Sequence, residues 1–134
     1  MLRTWTQCPV LITVALLAAC SDPAPSSSGD GIFTAEQAER GEGLFNTHCV
    51  RCHSIQEFRG PAWDSIWAGG PLSALYVRIA NTMPLDQPGS LGSTEATAIT
   101  AHILAANGMP SGNNALSGNL QWMTGISLSS TAAD

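Results

Sequence analysis

The amino-acid sequence predicts an all-α fold for one small domain. Thr34 followed three residues later by Gln37 is a capping-box pattern, which marks the start of a helix. A second long helix is expected between Ser93, as its N-terminal cap, and Gly108, as its stop. No stretch shows the alternation of apolar and polar residues that strands need. The length of 134 residues fits a single domain, which we place at 34–112.

The N-terminus is predicted to be a lipoprotein-type signal peptide over residues 1–19. Residues 10–19 are apolar except for Thr13, too few to span a bilayer but typical of an export signal. Residues 17–20, Leu-Ala-Ala-Cys, resemble a lipobox, in which Cys20 is diacylated and begins the mature chain. The alternative is an ordinary signal peptide cut near the same small residues. Residues 20–33 begin with a run of Ser, Pro, Gly and Asp and are expected to form a flexible tether.

The first predicted helix runs from residue 35 to about 47, with Gly41 and Phe45 on one face. Pro71 begins a short helix, the second in chain order, whose apolar positions are Leu72, Leu75, Tyr76 and Ile79. Residues 81–92 are a loop, and the last helix has a buried stripe of Ile99, His102, Ile103 and Ala106. Residues 113–134, rich in Ser, Gly and Asn, are predicted to be a C-terminal tail.

The segment Cys49-Val50-Arg51-Cys52-His53 carries the strongest chemical signal. Two cysteines separated by two residues and followed by a histidine form the attachment pattern of a c-type haem. The thiols bond to two porphyrin vinyl groups, and the imidazole binds the iron. A redox cysteine pair, half of a zinc site and chance are the alternatives. A redox pair is expected near a βαβ pattern, and residues 34–112 show no such pattern. A zinc site needs about four ligands, and residues 34–112 contain no further cysteine. We therefore expect one covalent haem c.

The net charge of the mature chain limits which partners are expected. The mature chain, residues 20–134, has four arginines, no lysine and ten acidic residues, hence a net charge of −6. Nucleic acid is not an expected partner, because its binding rewards clustered positive charge. The lack of lysine also argues against electrostatic steering onto an acidic protein.

The cysteine motif, Met83-Pro84 and the last helix together resemble the class I c-type cytochromes. More narrowly, residues 35–110 are similar to the cytochrome domains of quinohaemoprotein (PQQ) alcohol dehydrogenases. The resemblance implies a small cytochrome c fold packed around the haem, with the first and last helices crossing at Gly41 and Phe45. Ile99 and His102 would meet them there.

The resemblance also implies the iron ligands and one supporting residue. His53 and Met83 would be the axial ligands, and the carbonyl of Pro61 would accept a hydrogen bond from the Nδ1 atom of His53. Met83 and Met109 both precede a proline, which favours an extended backbone suited to a loop ligand. Met83 is the better candidate because its loop follows the short helix that begins at Pro71.

The implied function is one-electron transfer in the bacterial periplasm, not enzymatic catalysis. A dehydrogenase, for example a PQQ-dependent one, or a quinol oxidoreductase would donate electrons, and an oxidase or another cytochrome would accept them. Lipid on Cys20 would anchor the protein to a membrane, and Ser21 favours the outer membrane. The alternatives are a gas-binding or sensing haem protein with an open sixth position and a small haem enzyme such as a peroxidase.

Overall fold

The computed structural model describes residues 24–131, which contain five α-helices and no β-strand. The helices are α1 (Ala35–His48), α2 (Gly60–Ile66), α3 (Leu72–Thr82), α4 (Ser93–Ala106) and α5 (Leu120–Thr124). Short 3-10 turns occupy Ser28–Asp30 and Ile55–Phe58. The predicted all-α class is confirmed for this part of the chain, where none of the helices could cross a membrane. The predicted signal peptide and Cys20 lie outside the described residues.

Helix α1 begins where the sequence predicts, but its cap differs in one respect. The Thr34 hydroxyl accepts a hydrogen bond from the backbone N–H of Gln37 at 3.2 Å, as an N-cap should. The buried Gln37 side chain does not return to Thr34. Its Nε2 donates to the Leu116 carbonyl at 2.9 Å, and its Oε1 accepts from the Leu116 N–H at 2.7 Å. Gln37 therefore joins the start of α1 to a residue predicted to lie in the tail.

Helices α1 and α4 cross at Gly41, as expected. A Cβ atom added to Gly41 would lie only 1.9 Å from the carbonyl oxygen of Ala98, so only glycine permits this approach. The rings of Phe45 and His102 pack beside the crossing, with their centroids 5.5 Å apart. Ile99 is buried in the same region of the core. Ala98, rather than Ile99, provides the backbone that meets Gly41.

Helices α3 and α4 begin close to the predicted positions. All four predicted apolar positions of α3 are buried, and Pro71 is its N-cap residue. The N-cap of α4 is Gly92, not Ser93 as predicted, because the Glu95 carboxylate turns back to accept from the Gly92 N–H at 2.9 Å. At its other end the backbone reverses at Gly108, whose φ of 76° is in the left-handed region.

Both ends of the described chain differ from the predicted tether and tail. Ile32 and Phe33 fall within the predicted tether at 20–33 but are 4% and 1% exposed. The predicted tail contributes, over its described residues 113–131, four buried apolar side chains, Leu116, Met123, Ile126 and Leu128. The core therefore extends well beyond residues 34–112.

Backbone hydrogen bonds join these two terminal segments. The Ser28 N–H donates to the Ser127 carbonyl, and the Ser127 N–H donates to the Ser26 carbonyl, both at 2.9 Å. The indole Nε1 of the fully buried Trp63 donates to the Ser129 carbonyl at 2.8 Å. The polar composition of each segment predicts a flexible chain. Their few apolar residues nevertheless pack against the rest of the domain, because removing apolar surface from water is favourable.

Candidate functional site

The cysteine motif forms one further helical turn at the end of α1. The carbonyl of Cys49 accepts hydrogen bonds from the N–H groups of both Cys52, at 3.0 Å, and His53, at 2.9 Å. These bonds span three and four residues, so Cys49, Cys52 and His53 lie within a single turn of the backbone. Two thiols and an imidazole are the groups that a c-type haem requires.

The two cysteines are both free thiols and differ in burial. Cys49 is half-buried against the core, and burial raises the pKa of its thiol because the thiolate loses solvation there. Cys52 is exposed. A reactive redox pair normally has a thiol whose pKa is lowered by its surroundings. The surroundings of Cys49 do not activate its thiol in this way.

His53 is held by the carboxylate of Glu57. The imidazole Nδ1 lies 3.1 Å from Glu57 Oε2, and because a carboxylate can only accept, Nδ1 must carry the proton. Nε2 is consequently the ring nitrogen that remains available to a metal. The resemblance implied Pro61 as the partner of Nδ1. The structure places Pro61 in the first turn of α2, exposed, and pairs Nδ1 with Glu57 instead.

The two methionines that precede proline occupy different environments. Met83 is the C-cap residue of α3 and is half-buried at the start of a loop. Met109 is only 7% exposed and belongs to the hydrophobic core, where a methionine fills space. Of the two residues, Met83 is the more exposed.

An ion pair connects the loop after Met83 with the cysteine motif. Arg51 lies between the two cysteines, and its guanidinium contacts the Asp86 carboxylate at 2.5 Å. This pairing raises the pKa of Arg51 and lowers that of Asp86. Both side chains are more than half exposed, so the pair adds little stability by itself. The pair does show that the loop after Met83 lies next to the motif that carries His53.

A groove of about 350 Å³ borders the His53 ring. It is lined by Glu42, Phe45, Asn46, Val50, His53, Ser54, Ile55 and His102. His102 packs in the helix crossing, and burial lowers its pKa although nearby Glu42 partly opposes the shift. Within residues 24–131, no three His, Cys, Asp or Glu side chains form a group that could hold a metal ion.

Sequence reasoning missed Glu57 and Asn107. The pattern Ser54-x-x-Glu57 is a capping-box signal directly after the motif, so Glu57 could have been found from sequence. Asn107 lies at the end of α4, and its Nδ2 donates to the carbonyl of Phe58 at 2.7 Å. Because 49 residues separate this pair, no local pattern predicts it.

The residues present fit a c-type haem by the chemistry of their donor atoms. Cys49 and Cys52 offer two free thiols, and His53 offers Nε2, with Met83 as a second candidate ligand.

Comparison of the chain with known proteins identifies no related protein. The chain matches no family model, and it is similar to no curated protein and no solved structure. The likeness to class I cytochromes therefore depends on the motifs themselves.

Proposed function

We propose that this chain is a monohaem c-type cytochrome that transfers single electrons in the bacterial periplasm. The observation that supports this most strongly is the hydrogen-bonded turn at 49–53, which holds Cys49, Cys52 and His53 within a single turn of the backbone. A haem bound there supplies a one-electron Fe(III)/Fe(II) couple.

The residues of the site have distinct roles in this proposal. Cys49 and Cys52 would hold the haem through thioether bonds. His53, through Nε2, and Met83, through its sulfur, would bind the iron, and this pair of ligands would raise the reduction potential. Two protein ligands on the iron would leave no position for a substrate or a gas. Such a site favours electron transfer over catalysis.

The surface around the motif is suited to exchange with a protein partner. Cys52 is exposed, so a haem edge attached to it would lie near the surface. Arg51 and Asp86 neutralise one another beside it, and Val50 is 51% exposed. The proposed donors are a periplasmic dehydrogenase or a quinol oxidoreductase, and the proposed acceptor is an oxidase or another cytochrome. A lipid anchor on Cys20 would keep the protein at the membrane.

Ligand binding and electron exchange test this proposal together. The full chain should be produced in cells that attach haem c, and the ferrous protein should be exposed to carbon monoxide. We expect no rapid carbon monoxide complex, and we expect fast reduction or oxidation by at least one candidate periplasmic redox protein. Rapid carbon monoxide binding without exchange with any partner would overturn electron transfer and favour the gas-binding alternative.

A further inference from the structure

The 3-10 turn Ile55–Phe58 begins two residues after His53 and is capped by Ser54. The Ser54 hydroxyl accepts from the Gln56 N–H at 3.3 Å. In return, Oε1 of Glu57 accepts from the Ser54 N–H at 2.9 Å. This capping bond orients the Glu57 carboxylate and leaves its second oxygen, Oε2, for Nδ1 of His53. Each oxygen thus has one partner, and the backbone fixes the direction of the group.

The same turn is held from its other side by α1 and α4. The Phe58 ring packs edge-on against His53, with centroids 5.6 Å apart, and against Phe45 at 6.0 Å. The Phe58 carbonyl accepts from the amide Nδ2 of Asn107, which also donates to the Ile103 carbonyl at 2.9 Å. Asn107 is 6% exposed, and reversing its amide would set oxygen against two carbonyls. The turn is therefore clamped to the end of α4.

We propose that Glu57 is the positioning residue of the axial histidine, and that its carboxylate tunes the iron through His53. This inference rests on the proposed function, since it requires a haem at Cys49 and Cys52. A carboxylate is a stronger hydrogen-bond acceptor than a neutral carbonyl such as that of Pro61. It draws the Nδ1 proton toward itself and makes the imidazole a stronger donor to the metal. A stronger donor stabilises Fe(III), so Glu57 lowers the reduction potential and opposes the effect of Met83.

Exposure limits the size of this effect. The Glu57 side chain is 54% exposed and that of His53 is 33% exposed, so water competes for the hydrogen bond. The cap at Ser54 and the clamp at Asn107 offset this competition from water, because they hold the Glu57 carboxylate in place independently of the His53 imidazole.

The test compares Glu57→Gln with Glu42→Gln in the haem-loaded full chain. Glu42 lines the groove next to His53 but is not its partner at Nδ1, so its replacement controls for the loss of a nearby negative charge. We expect Glu57→Gln to change the Fe(III)/Fe(II) equilibrium about tenfold toward Fe(II), a rise of about 59 mV for one electron. Glu42→Gln should change it less than about twofold.

A second readout reports the hydrogen bond itself. The Nδ1 proton of His53 should exchange slowly with solvent in the parent protein and in Glu42→Gln, and faster in Glu57→Gln, as seen by NMR. Equal potentials and equal exchange rates in the two variants would overturn the role of Glu57 while covalent haem still supports the proposed function. Absence of covalent haem from the parent protein would overturn the proposed function and this inference with it.

Discussion

Gly41 of α1 and Ala98 of α4 bring the two longest helices into backbone contact. A methyl group at Gly41 would lie 1.9 Å from the Ala98 carbonyl oxygen and 2.9 Å from Cβ of His102. Neither neighbour is the flexible end of a side chain, so the helices themselves would have to separate. The helix crossing that supports the cysteine motif depends on the absence of a side chain at this position.

Replacing Gly41 with alanine should therefore destabilise the protein by about 2 kcal/mol or more, because the crossing becomes overpacked. Gly43 is a matched control on the same helix, since nothing lies within 4 Å of a Cβ added there. Gly43→Ala should stabilise the protein by roughly 0.5–1 kcal/mol through its higher helix propensity. Urea unfolding of both variants measures the difference. Equal changes in the free energy of unfolding would contradict the described crossing.

Gln37 should stabilise the packing of the C-terminal segment, residues 113–131, against the rest of the domain. Gln37→Ala leaves the buried N–H and carbonyl of Leu116 without their partners, which we expect to cost about 1–3 kcal/mol. Glu39→Ala, at an exposed position of the same helix, should change stability by less than about 0.5 kcal/mol. Limited proteolysis provides a second measurement, with faster cleavage within 113–131 expected only for Gln37→Ala. Unchanged stability and cleavage would show that the segment does not depend on this contact.

His102 should make the stability depend on pH. Burial lowers its folded-state pKa below the ordinary value of 6.5, and nearby Glu42 only partly opposes this. Below about pH 6.5 the unfolded chain gains a proton more readily than the folded one, so folding weakens as the pH falls. His102→Phe keeps an aromatic ring against Phe45 and removes this proton.

Unfolding of both proteins at about pH 7.5 and about pH 5.5 measures the effect. The parent protein should lose more stability over this range than His102→Phe. An identical loss in the two proteins would show that His102 is not the group responsible.

Two methionine variants should separate a ligand from a core residue. Met83→Ala should abolish the far-red sulfur-to-iron charge-transfer band, open the ferric haem to cyanide and lower the reduction potential. Met109→Leu conserves core volume, so it should leave the spectrum unchanged and cost less than about 1.5 kcal/mol. A band that survives in Met83→Ala and disappears in Met109→Leu would reverse the assignment.

Elements with local signals could be predicted from the sequence. The Thr34 cap of α1 and the apolar spacing of α3 each depend on residues a few positions apart. The terminal segments could not be predicted in this way. Ser28 and Ser129, for example, are hydrogen-bonded across 101 residues.

The same difference between local and distant signals separates Glu57 from Asn107, the two residues beside His53 and its turn. The contact of Glu57 with His53 follows a local pattern, Ser54-x-x-Glu57, whereas the resemblance implies Pro61 in that role. The clamp from Asn107 to Phe58 joins distant parts of the chain and becomes visible only in three dimensions.

Haem attachment is the central claim, and the intact mass of the protein tests it most directly. The full chain and Cys49→Ser/Cys52→Ser should be produced in cells that attach haem c, then extracted with acidified acetone. We predict that the parent polypeptide retains the mass of one haem after extraction, while the double variant retains none and is largely unfolded. A parent chain whose mass equals that of the polypeptide alone, or a double variant that folds without haem, would contradict the account.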